Sequence, residues 1–523
     1  MNKTIKITFI LLLITHISFA QKKILDHKDF DIWNVIKNKT ISPNGKFVMY
    51  SLEKGERDNH LIIKDAKATS ILEHERSEKG QFSYNSKFAL FTIKAWKDSI
   101  VEMKRRKVKK DKLPKDTLGI YNLEENTLTK IANVKSYKIP EKWSGYVAYY
   151  LEEIKKEKEK SEEKDSISDK KDKKKKKDKK VGKDNGYHLV LRNLLTQKQD
   201  TFKYVTDFTF AKKEKRFAFT TTGQDSIIKA GVFVLNLEDN KLTKIHEAEK
   251  PKYYQLNFSE SGNYLGFVVD TDTTKIQIRP YELYIWNDGN TTAEKLVDDS
   301  TSPTGYKVSS DGNLSFSKDE TKLYFGLATP PIVKDTTLID EEIVNVEVWT
   351  YNEPRLYTVQ ELQVKNDRKK SYQTVIHLNT ANKLVQLATT NYPNSLLGDE
   401  GNANYALVRN PKPYQLESQW TGSRLSDYAV VNTTTGETKK ELSKVTSSVR
   451  LSPKGKYAYG YNSADSTWFA YSIASEKRLD LTKGKMFYNE LNDSPRHPGS
   501  YGSAGWTKDD ASIIIYDRYD IWK

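Results

Sequence analysis

The chain has 523 residues, of which 37% are hydrophobic, 30% charged and 11% aromatic, with a formal net charge of +16. Its 31 Tyr and 9 Trp are too many for a disordered chain, and the absence of cysteine excludes a disulfide framework, a thiolate metal site and a cysteine nucleophile. Lys155 to Lys183 holds 15 Lys against 8 Asp and Glu, and Lys104 to Lys112 holds 7 basic residues against one Asp; the rest of the chain is close to neutral, which argues against a nucleic-acid-binding face.

Residues 1–20 read as a signal peptide. Lys3 and Lys6 form its basic end, Ile7 to Ile14 its apolar run, and Ser18-Phe19-Ala20 places small residues where a signal peptidase cuts, before Gln21. The apolar run is short for a bilayer span. With no cysteine after the cut, a lipid anchor is excluded, so the mature chain is expected to be periplasmic or secreted, without a membrane anchor.

From residue 21 onward one pattern recurs: a small polar turn, then a short run of aromatic and β-branched residues. It appears as SPNGKFVMYSL from Ser42, FSYNSKFALFTI from Phe82, FAKKEKRFAFTTT from Phe210 and FSESGNYLGFVVD from Phe258. It returns as FSKDETKLYFGL from Phe316, LSPKGKYAYGY from Leu451 and WTKDDASIIIY from Trp506, with weaker copies from Trp143 and Gly401. The turn residues tolerate positive φ, and each following run has the length of one strand. A second element often follows, as in IYNLEENTLTKI from Ile120, VFVLNLEDNKLTKI from Val232, VIHLNTANKLVQL from Val375 and VVNTTTGETKKEL from Val430. Each reads as a hairpin. A period of about 40–60 residues is that of a four-stranded propeller blade. The predicted fold is therefore all-β: a β-propeller of about seven or eight blades over residues 21–523. A charged low-complexity insertion interrupts it at 152–186, lacking the apolar periodicity of a packed helix. Helical signals are otherwise nearly absent. The last unit, Trp506 to Lys523, has strands for only part of a blade.

Three stretches resemble the propellers of exported bacterial peptidases of the prolyl-oligopeptidase family. They are DHKDFDIWNVIKNKTISPNGKFVMYSLEKGE from Asp26, DEEIVNVEVWTYNEPRLYTVQ from Asp340 to Gln360, and WTKDDASIIIYDRYDIWK at the end. KKDKLPKDTLGIYNL from Lys109 is similar too, so the resemblance spans essentially the whole mature chain. In that family a propeller precedes an α/β-hydrolase domain, covers its active site and limits access to short peptides. The hydrolase domain supplies a Ser-Asp-His triad. The resemblance thus implies a gating and substrate-sizing domain acting on peptide substrates through a hydrolase domain absent from this chain. The family's nucleophile sits in a Gly-x-Ser-x-Gly elbow leading into a helix. The nearest sequence here, Tyr501-Gly502-Ser503-Ala504-Gly505, has Tyr at the first position and leads into a strand-like run. Ser503 is accordingly read as part of a turn between blades, and no catalytic residue is assigned.

Some relatives hold a substrate amino terminus with paired glutamates, a chemistry suited to an ammonium with three donors. Glu152-Glu153 opens the charged insertion, and Glu341-Glu342 is expected to precede a strand; both are read as solvated charge. Seven His remain after His16 is removed with the signal peptide. None has metal-helix spacing, so no metal or cofactor is expected. Arg355 suits either a carboxylate ligand or the holding of a loop. Two other readings stay open: a stand-alone periplasmic binding propeller, and an enzyme whose site lies in the propeller channel, for which no spacing singles out a constellation.

Overall fold

The computed structural model describes residues 25–27, 29, 33–55, 57–152, 179–224, 228–344, 346–422, 424–445 and 449–523. Residues 1–20, read above as a signal peptide, Glu153 and most of the 152–186 insertion lie outside them.

The recurring turn is closed by a buried serine. Ser83 Oγ donates to Asn85 Oδ1 (2.8 Å) and accepts the amide of Phe88 (3.0 Å), the first residue of the next strand. Ser42 does the same with Asn44 and Phe47, and Ser317 with Asp319 and Lys322. Ser259 accepts from Tyr264 (3.1 Å) and Ser452 from Tyr457 (2.9 Å). The hydroxyl satisfies the amide at the point where the chain re-enters the sheet. The second sequence element is an Asx turn: Asn122 Oδ1 accepts the amides of Glu124 and Glu125, and Asn432 Oδ1 those of Thr434 and Thr435.

Among the described residues these turns join eight antiparallel sheets, five of four strands and the others of three, five and seven. Strands are adjacent in sequence order, so each sheet is a meander, the blade repeat of a β-propeller and the class the sequence predicts. The chain divides into two compact units, residues 1–137 with 149–171, and 138–148 with 172–523.

The first unit contains the sheets Asn34–Glu75 and Ser77–Ile131. Their facing sides share one core of Met49, Leu61, Ile63, Phe91 and Tyr121. In the second unit every successive pair of sheets encloses such a layer, for example Leu265, Phe267 and Trp286, then Leu323, Phe325 and Ile376. The twelve-residue strand Gln199–Phe210 serves two neighbours in turn. Residues 199–205 pair with the strand Tyr187–Asn193, and 205–210 pair with Arg216–Thr221. A register shift after Val205 and a positive φ at Tyr204 mark the change of partner. The inner strand of the five-stranded sheet is broken into Lys307–Val308 and Ser315–Phe316. Gly312 lies between the pieces, and a Cβ there would meet Gly326 Cα at 2.4 Å, so only glycine permits that approach.

Helix is present, contrary to expectation. Among the described residues there are three α-helices: α1 (Lys97–Arg105), α2 (Tyr357–Arg368) and α3 (Gln415–Thr421). Each lies in an excursion between the second and third strands of its meander, at 94–116, 329–371 and 411–425. None has a buried residue, which is why apolar periodicity did not announce them. The expectation of a strand after Glu341-Glu342 is also corrected. Asp340–Glu342 is a single 3₁₀ turn, and among the described residues no strand lies between it and α2. The alternation of Val344, Val346 and Val348 imitates a strand, but these residues are exposed and pair with no sheet.

Candidate functional site

The serine-closed turns of the second unit are tied to one another by charge. Glu260, 10% exposed, accepts a hydrogen bond from Lys142 Nζ at 2.6 Å and lies 3.3 Å from Lys212 Nζ and 3.7 Å from Lys213 Nζ. Its carboxyl is held below the usual carboxylate range, first by the Lys142 hydrogen bond and then by Lys212, with burial opposing. Lys212 also pairs with Glu141 at 3.6 Å. One sheet further on, Glu320 accepts from both the amide and the hydroxyl of Ser261. Lys318 pairs with Glu400, and Asn402 Oδ1 accepts the amide of Asp319 at 2.9 Å. Buried Lys322 donates to the carbonyls of Asn402 (2.6 Å) and Ala403 (3.0 Å).

These turns rim a cavity of about 390 Å³. Its lining includes residues at the ends of strands in three different sheets: Thr209 and Phe210, then Asn257 and Phe258 with Ser259 just after them, then Ser315 and Phe316. Lys212, Glu260, Lys318 and Glu400 complete the lining together with Glu141. The lining combines ion pairs of both signs, Lys212 with Glu260 and Glu141 and Lys318 with Glu400, with Phe210, Phe258 and Phe316, chemistry matched to a polar ligand bearing both charges. Ser259 Oγ is engaged by the Tyr264 amide, and the site brings no histidine to a hydroxyl, so it has no activated nucleophile.

The residues weighed from sequence do not converge on this cavity. Ser503 begins the strand Ser503–Trp506; its hydroxyl donates to the carbonyl of Ile514 at 2.6 Å and accepts the Gly505 amide at 3.0 Å. It therefore sits within a sheet, where the sequence placed it in a turn. Glu152 follows the strand Tyr146–Leu151, with its carboxylate 3.9 Å from Lys115 Nζ. Glu341 and Glu342 are exposed. Arg355 pairs with Asp367 of α2 at 2.8 Å, the loop-holding alternative. His246 packs edge-on against Tyr253, Phe267 and Tyr284, and burial pushes its pKa down. His377 lies 2.8 Å from the Thr433 carbonyl. Among the described residues, no group of three or more His, Asp or Glu is placed to hold a metal ion.

Sequence reasoning missed two features. One is the cavity, whose lining residues are up to 259 positions apart. The other is a clamp on loop 271–280. Arg279 grips both oxygens of buried Asp270 (2.7 and 2.8 Å) and donates to the carbonyls of Asp272 and Thr274. The nine-residue spacing of Asp270 and Arg279 carried no signal, because the loop that brings them together has no repeat.

No family model matches the sequence, and no curated protein matches it. Solved structures do. A eukaryotic initiation factor aligns over 85% of this chain and 87% of its own, at 9% identity and a TM-score of 0.41. The β-propeller domain of the Trilobed protease from Pyrococcus furiosus aligns over 79% of this chain and 98% of its own, at 12% identity and a TM-score of 0.30. An acylaminoacyl peptidase of Pyrococcus horikoshii aligns over 77% of this chain and 52% of its own, at 10% identity and a TM-score of 0.31. The chain thus spans about half the length of that peptidase. Similarities of this size carry no argument about activity.

Proposed function

We propose that this chain is the blade portion of an exported prolyl-oligopeptidase-type serine peptidase, restricting which peptides reach a hydrolase domain that lies outside it. The observation that carries the reading is the sequence resemblance at Asp26 to Glu56, Asp340 to Gln360 and Trp506 to Lys523, set on a chain of meander sheets. The placement of Ser503 agrees with it: a hydroxyl donated to a strand carbonyl, with no histidine partner, is not a poised nucleophile. In this role the propeller binds and excludes, and bond cleavage is the work of the missing domain.

Purified residues 21–523, incubated with fluorogenic prolyl and dipeptidyl substrates and a fluorophosphonate probe, are expected to show neither turnover nor labelling. Turnover that the probe blocks would overturn the reading. A second reading, a stand-alone periplasmic binding module, is favoured by the mixed-charge cavity. Calorimetric titration with short zwitterionic peptides separates the two. Binding that survives without any hydrolase domain and is lost in Lys318→Ala supports the module.

A further inference from the structure

Fourteen of the 34 large apolar side chains that stand exposed among the described residues fall between Ile332 and Val364. Val344 is 80% exposed, Val348 70% and Trp349 65%. The segment is anchored at its two ends. Gln277 exchanges two 2.8 Å hydrogen bonds with the backbone of Lys334, and Gln419 of α3 donates to the carbonyls of Glu353 and Pro354. Trp349 stacks on Tyr357 at the start of α2, which fixes the arm's apolar side. Trp420, next to the Gln419 anchor, is 83% exposed and extends the patch. Solvated apolar surface this concentrated marks a contact surface.

Charge selects the occupant. From Asp335 to Glu353 the arm holds six acidic residues and no basic one, in a chain whose net charge is +16. The excursion 94–116 is its opposite. It carries seven basic residues and one acid from Lys104 to Lys112, and presents Trp96 and Val101 exposed on and beside α1. We infer that the two arms are the halves of one interface between two copies of this chain, the acidic arm of one copy seated on the basic arm of the other. Like arms facing each other would set charge against equal charge, so the pairing is acidic on basic. In the inferred two-fold dimer the contact occurs twice, because in an isologous interface residue i meets j while j meets i. Apolar groups bury at the centre and the charges steer the approach.

Sedimentation velocity of residues 21–523, over protein concentrations on the order of 0.1 to 100 µM, tests this. A dimer is expected at about 0.05 M salt that weakens at about 0.5 M. Glu341→Lys with Glu342→Lys, and separately Arg105→Glu with Arg106→Glu, should each raise the dimer Kd roughly tenfold or more. An equimolar mixture of the two variants should associate more tightly than either alone, because it contains one native contact and one with both charges exchanged. Circular dichroism melts establish that both variants fold, and Trp349→Ser, a change on the exposed arm, should weaken the dimer without shifting the melt. A monomer across the whole range would overturn the inference. So would a dimer indifferent to salt and to both variants, or a mixture no tighter than its components. A monomer whose arm resists limited proteolysis would mean that the chain covers its own arm, and would overturn it as well.

Discussion

At the residue scale, the serine that opens each turn carries more than the turn. Ser317 is fully buried, and its hydroxyl is the acceptor for the Lys322 amide. Ser317→Ala leaves that amide without a partner inside the sheet and should destabilise the protein by about 1–2 kcal/mol, read as a lower denaturation midpoint. Ser317→Thr, which keeps the hydroxyl, should lose less. Glu260 gives a pH signature. A carboxylate whose folded value lies below its unfolded value, about 4.3, contributes stability above that pH and loses it as the pH falls through the folded value. His246 adds a loss that begins higher. Its imidazole is held neutral by burial, so the unfolded state takes up a proton first as the pH drops below about 6.5. Thermal melts should therefore fall in two stages on acidification. Glu260→Gln reduces the lower stage, which other lowered carboxylates such as Asp298 and Asp319 share, and costs about 1 kcal/mol at neutral pH, discounted because its lysine partners are half solvated. A melt insensitive to pH between 7 and about 5 would refute the His246 assignment, and one insensitive below about 4.3 the Glu260 assignment. The polar turns were legible in the sequence because the serine and its Asn or Asp partner are two residues apart. Lys142, Lys213 and Glu260 were not, since nothing local marks a carboxylate that will face lysines from another turn.

At the scale of elements, the meanders were legible and their coupling was not. Aromatic and β-branched runs of five to seven residues, alternating or continuously apolar, named the strands, and Asn-led turns named the hairpins. The structure adds that neighbouring turns within a unit are fastened together. Asp510, 3% exposed, accepts from Ser452 Oγ at 2.5 Å and from the amides of Lys454 and Lys456. In the first unit Ser86 Oγ accepts the Asn44 amide at 3.1 Å. Asp510→Ala strands a buried hydroxyl and two amides, and should lower stability by about 2–3 kcal/mol. Hydrogen exchange in that variant should quicken in both the strand Ser503–Trp506 and the strand Tyr457–Asn462, where a local turn defect would affect the first alone. The excursions defeated the sequence for a different reason. An alternating Val run predicts a strand only if a sheet edge exists to receive it, and no such edge receives Val344, Val346 or Val348.

For the whole molecule, stability is distributed over layers between successive sheets, with no single centre. The two compact units each have their own layers, so equilibrium unfolding is expected to show two transitions. Leu61→Ala, costing about 2–5 kcal/mol, should move one of them, and Phe267→Ala, about 3–5 kcal/mol, the other. Both variants shifting one common transition would refute the division. The sequence by itself determined the all-β class, the blade period, the turn chemistry and the missing nucleophile elbow. Each of these is set by neighbours within a few positions, where backbone geometry and side-chain alternation act directly. Tertiary structure alone decided which turns are latched together, which charges surround the cavity, and which apolar runs go unburied. Those outcomes depend on groups up to hundreds of residues apart meeting in space, and on whether a strand-like segment finds a sheet to join.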